Sequence, residues 1–209
     1  MKKIFFAIGC SLFLAACNND PKENKSTVTV DSVKVPAPVV INKDSLLVAT
    51  GKSVLLALKE KDYPAFSQFF LPATAVRFSP YGFIDSTSNV ELTAAEFNDL
   101  LRSGKKIVWG QQDGSGDTML LSLPDYFKKF VYNADFLNAE KSATDKFIGS
   151  GNSLNNLKKV YPGARFIEYH FSGFDKKYGG MDWTSLRLVF KESNDQFCLI
   201  AVVHDQWTI

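Results

Sequence analysis

The sequence predicts an α+β domain, with N-terminal helices packed on a curved antiparallel sheet. Two observations carry this. Helix-capping residues and helical apolar spacing recur between Asp44 and Val131, while the last fifty residues hold three strand-like runs joined by short turns. Helices and strands segregated in this way give an α+β rather than an alternating α/β fold. The 18 Phe and 7 Tyr supply bulky core material for a single domain.

Asp44 or Ser45 is placed to cap a first helix running to about Glu60, with Leu47, Val54, Leu55 and Leu58 near helical spacing. Asp62 caps a second, Tyr63 to Phe70, whose first turn tolerates Pro64, and Pro72 stops it. Ala75 to Ser79 alternates like a strand, and Pro80-Tyr81-Gly82 turns the chain. Thr93-Ala94-Ala95-Glu96 has capping-box spacing for a helix to about Arg102, ended by Gly104. Lys106 to Trp109 forms a short strand, and Asp113 to Asp117 a loop. Ser122 caps a helix to about Val131, with Pro124 in its first turn. Residues 138–163 are expected as loop with one short helix near Leu154–Val160. Arg165–Phe171, Ser185–Phe190 and Phe197–His204 then form an antiparallel meander.

The N-terminus has a different character. Lys2 and Lys3 precede an uncharged, mostly apolar run from Ile4 to Ala16, shorter than the roughly 20 residues a membrane-spanning helix needs. It ends in Leu14-Ala15-Ala16-Cys17, which resembles the lipobox of bacterial lipoproteins. The resemblance implies a signal peptide over 1–16, cleavage before Cys17, lipid on that cysteine, and an envelope location facing the periplasm or the exterior. The lipid bilayer is then a partner through Cys17. Residues 17–43 are polar and contain Val35-Pro36-Ala37-Pro38, so they form a tether reaching about 85 Å if fully extended. The single domain is expected over 44–209.

A second resemblance follows from Leu55-Leu56-Ala57-Leu58-Lys59-Glu60-Lys61-Asp62-Tyr63, a short helix, Phe70, Pro72 and a strand. Together with the late meander, this opening is similar to the cystatin-like, NTF2-like superfamily. There, an N-terminal helical segment lies across a strongly bent sheet, making a cone with a pocket. The chain departs from that pattern by a helical insertion between Gly82 and Tyr161.

Charge and cysteines narrow the function classes. The formal charge is +2, and losing Lys2 and Lys3 leaves 22 basic and 22 acidic side chains. A neutral domain gives no electrostatic reason to expect nucleic acid. With Cys10 in the signal and Cys17 lipidated, Cys198 stands alone and forms no internal disulfide. Its apolar neighbours predict a buried, inert thiol.

The candidate site residues lie in the meander. Glu168 and His170 are two apart on one strand, so they share a face. A carboxylate beside an imidazole suits general-base chemistry. Ile167, Tyr169 and Phe171 line the other face, which makes the Glu168 face the solvated side of a half-buried sheet. His204 and Asp205 are adjacent, so they point to opposite faces. Tyr178-Gly179-Gly180-Met181-Asp182-Trp183 suggests a tight turn, with Arg187 in alternation with Trp183 and free to pair with Asp182 or Glu168. Tyr178, Trp183 and Trp207 are candidates for a rim around an apolar or sugar-like ligand. Asp113, Ser115 and Asp117 imitate the start of a calcium loop, but Thr118 and Pro124 break the pattern. No cofactor, zinc or phosphate-loop signature is present. Three function classes follow: a non-enzymatic domain binding a small ligand or a protein, a hydrolase or isomerase using Glu168 and His170, or a purely structural interaction domain.

Overall fold

The computed structural model describes residues 42–151 and 154–208. The signal, Cys17 and nearly all of the tether lie outside these residues. The domain is α+β, with a six-stranded sheet and a separate two-stranded hairpin.

Helix α1 (Lys43–Lys59) starts one residue before the expected boundary. Asn42, not Asp44 or Ser45, caps it by accepting the N–H groups of Asp44 and Ser45. Helix α2 (Tyr63–Ser67) is capped by Asp62, as expected, and is shorter than the sequence suggests. Strand β1 (Val76–Ser79) pairs with β2 (Val90–Leu92), which the sequence did not announce. In helix α3 (Ala94–Ser103) both reciprocal bonds of the Thr93–Glu96 capping box are made, and Gly104 ends the helix in the left-handed region at φ 61°. Strands β3 (Ile107–Gln111) and β4 (Thr118–Leu121) form the hairpin around the Asp113–Asp117 turn. Helix α4 (Leu123–Phe130) has its Ser122 cap and Pro124 in the first turn.

The stretch expected as loop contains an edge strand, β5 (Lys141–Thr144), before the short α5 (Leu157–Val160). Its sequence, Lys-Ser-Ala-Thr, carries no apolar alternation to reveal it. The meander is β6 (Arg165–Phe171), β7 (Thr184–Ser193) and β8 (Gln196–Gln206). Strand order is β2-β1-β8-β7-β6-β5, and β1 runs parallel to β8, so the sheet is mixed rather than wholly antiparallel.

Register divides the sheet into two faces. Ile167, Leu188 and Val202 are aligned on one; Glu168, Arg187 and Val203 on the other. The first face carries α1 and an aromatic core. Phe66, Phe78, Phe97 and Phe127 meet at centroid distances of 5.4–6.1 Å. Trp109 stacks on Tyr126 at 3.9 Å and 9°, while its indole N–H donates to Leu121 O at 3.0 Å. A fully buried Trp109 therefore pins the hairpin to the core, whereas its neighbour Val108 points outward.

The second face was expected to meet water and does not. A strap that follows β5 crosses it, and α5 covers the rest through Leu157, packed with Ile84, Phe166, Val189, Ala201 and Val203. Asn156 fastens this layer by bonding both the N–H and the C=O of Ile84.

Candidate functional site

Glu168 is fully buried, and its carboxylate is saturated. Oε2 accepts the Ile148 N–H at 3.0 Å and Arg187 Nε at 3.1 Å; Oε1 accepts the Gly149 N–H at 2.8 Å and an Arg187 terminal nitrogen at 3.3 Å. Arg187, also fully buried, returns a bond to Gly149 O at 3.2 Å. Its other terminal nitrogen lies 2.8 Å from Asp205 Oδ2, close enough for an ion pair. Arg187 thus pairs with Glu168 and Asp205 rather than with Asp182, whose Oδ2 takes the N–H groups of Phe174 and Asp175. Asp205 does not begin a tail; β8 continues through it, and it is 4% exposed.

The strap is built to fit this cluster. A Cβ on Gly149 would stand 2.5 Å from Ser185 Oγ and 2.7 Å from the Trp183 ring, so only glycine lets the backbone approach so closely. The Phe147 ring stacks on Phe166 at 4.9 Å, with the Arg187 guanidinium 5.1 Å from its centroid.

His170 joins the same face. Its Nδ1 is 2.8 Å from Ser185 Oγ, and Trp183 lies over it at 5.8 Å. Burial lowers its pKa below the ordinary histidine value, and the charge of Glu168 works against that shift. Serine beside imidazole resembles part of a nucleophilic site. Here the hydroxyl is fully buried, and both Glu168 oxygens are committed to Arg187 and the strap. No open approach and no carboxylate orienting His170 complete the set.

His204 sits on the opposite face, against the aromatic core. Its Nδ1 donates to Pro80 O at 3.0 Å, which leaves Nε2 to accept from Thr184 Oγ1 at 3.0 Å; Asn133 completes the chain. Burial drives its pKa down to about 4, so it is neutral and structural. The structure therefore brings together Glu168, His170, Arg187 and Trp183, and separates His204 from them. Tyr178 is well exposed on the turn before β7 and makes no ring contact with Trp183, which is buried, so the three-aromatic rim does not form. Cys198 is half-buried rather than sealed, with its thiol pKa raised by burial.

Sequence reasoning missed an open cleft of about 600 Å³ between the 80–89 turn and the β3–β4 hairpin. Tyr81 and Phe83 form one wall and Val108 the other, and the two sides are tied by the Asp113 N–H donating to the Tyr81 hydroxyl at 3.0 Å. Asp85 and Asp113 are among the lining residues, and among the described residues no Lys, Arg or His lines the cleft. Asp85 is held near a pKa of about 2 by Ser88 and Thr87, chiefly the Ser88 hydroxyl. The half-exposed Phe83 was the available signal, an aromatic just beyond a Pro-Tyr-Gly turn.

No known protein family, curated protein or solved structure matches this chain.

Among the described residues no group of three metal-binding side chains is poised to hold an ion, and no helix is long and apolar enough to cross a membrane.

Proposed function

We propose that this chain is a lipid-anchored protein of the cell envelope whose domain binds a ligand instead of transforming one. The lipobox-like Leu14-Ala15-Ala16-Cys17 supports the anchor. The domain reading rests on one contrast. Among the described residues the serine–histidine pair on the sheet, Ser185 and His170, is sealed beneath the strap, while the lining residues of the open cleft include aromatics and aspartates but no histidine or cysteine, and its Ser88 hydroxyl is bonded to an Asp85 carboxylate held too acidic to serve as a base. Concave surface lined by aromatic and a few polar groups is the usual form of a small-molecule site. A cystatin-like, NTF2-like fold is supported by α1 lying across the sheet, where Gly51 packs against Ile167 and Tyr169, and by the β6-β7-β8 meander. The interior that such a cone would offer as a pocket is occupied here by the rings around Phe78.

Two measurements test the reading. Metabolic labelling with a fatty acid should mark the wild type and not Cys17→Ser; equal labelling of both removes the anchor. A ligand-observed NMR screen of small fragments should yield hits that vanish in Val108→Arg, which fills the cleft from an exposed position. Hits indifferent to Val108→Arg but lost in His170→Ala would return the site to the polar face and revive the hydrolase or isomerase alternative.

A further inference from the structure

The cleft has a sign. Asp85, its pKa lowered to about 2, is ionised near neutral pH, and among the described residues lining the cleft none is basic. The charge of Asp85 also comes with few spare acceptor positions. Its Oδ1 already takes the N–H and hydroxyl of Thr87, and Oδ2 takes the hydroxyl of Ser88. Such a group attracts positive charge without offering many bonds to N–H donors. Beside it stand the ring of Phe83, 48% exposed, and that of Tyr81, whose hydroxyl already accepts from the Asp113 backbone. Aromatic faces attract cations, best those that shed water easily. An alkylated ammonium meets both conditions, since it carries charge, needs no hydrogen bonds, and presents methyl groups to Phe83 and Val108.

We infer that the cleft between the 80–89 turn and the β3–β4 hairpin is a site for small alkylated organic cations. The inference rests on the cleft being the binding surface proposed above and adds the charge class of what it takes. A site of this kind discriminates by electrostatics, so affinity falls as salt screens the carboxylates.

The test uses three probes of one shape: choline, its neutral carbon isostere 3,3-dimethylbutan-1-ol, and the anion 3,3-dimethylbutyrate. Each is titrated against the full chain in maltoside micelles by saturation-transfer NMR. The expected result is that choline binds tightest, that Phe83→Leu and Asp113→Asn each weaken it by about threefold or more, and that added salt weakens it further. Both variants alter exposed side chains, so loss of fold does not confound them, and unchanged thermal melting verifies this. Equal binding of the neutral alcohol, lost in Val108→Arg, would overturn the cationic class and leave the binding reading standing. Binding of none of the three would overturn the cleft as a small-molecule site together with the inference.

Discussion

Replacing Glu168 with Gln should destabilise the domain severely, although the two side chains have nearly the same shape. Each carboxylate oxygen of Glu168 receives two donors, one from the strap and one from Arg187. A glutamine amide nitrogen placed at either oxygen therefore faces two donors with a donor of its own. The change removes two charge-assisted bonds and leaves a buried guanidinium half neutralised. Breaking one partner of a sealed ion pair costs about 3–5 kcal/mol. For a urea slope near 2 kcal/mol/M, this moves the unfolding midpoint down by about 2 M. Arg187→Met should cost a similar amount, and the Glu168→Gln/Arg187→Met double variant should cost well below the sum of the two, because the second change no longer opposes a buried Glu168 charge to a missing guanidinium; Asp205 loses Arg187 in both Arg187→Met forms. A midpoint shift below about 0.5 M for Glu168→Gln would refute the reasoning, since it would mean that water reaches the cluster and the strap does not seal it.

Further predictions follow from the same geometry. Gly149→Ala should lower stability by about 1–3 kcal/mol through overlap with Ser185 and Trp183, and should speed amide exchange at Ile148, which hydrogen-exchange mass spectrometry reads. His204 has a folded pKa of about 4 against about 6.5 unfolded, so above pH 6.5 neither state holds the proton. Between those values only the unfolded chain binds it; stability therefore falls by up to about 3 kcal/mol on acidification from pH 6.5 to 4. In denaturation curves, His204→Asn should flatten that slope. The NMR titration midpoint of His170, already lowered by burial, should drop further in Glu168→Gln, because Glu168 is the larger of the two carboxylate charges, with Glu140, that raise it. Trp109→Ala should cost about 3–5 kcal/mol and expose the β3–β4 hairpin to protease, detectable as cleavage within 107–121.

How legible the molecule was in its sequence follows the range of the interactions. Asp62, Thr93 with Glu96, Gly104, and Ser122 with Pro124 act within one helical turn, and the helices they bound are where those residues put them. The alternation of β6 placed Glu168 and His170 on one face, and that of β8 placed His204 and Asp205 on opposite faces. Alternation names a face without saying what covers it. The cover is a strap whose decisive residue, Gly149, was one glycine among several in a polar stretch. Strand β5 has no apolar pattern because it is an edge strand whose first two residues, Lys141 and Ser142, are exposed. The cleft joins Phe83 to Asp113 across thirty positions by folding alone, and no local spacing encodes it.

The parallel pairing of β1 with β8 has a consequence for how the chain is made. A strand near the start of the domain is completed only by the last strand in chain order, and His204 closes on Pro80 from 124 positions away. That last strand is not an edge: it lies between β1 and β7, in the middle of the sheet. A polypeptide emerging N-terminus first from a ribosome or an export channel therefore carries α1 to β7 with a vacancy where the central strand belongs. Local helices form early, but the sheet cannot be assembled until Gln196–Gln206 has emerged. Completion of the sheet therefore waits for β8, and the segments before it stay threadable until then.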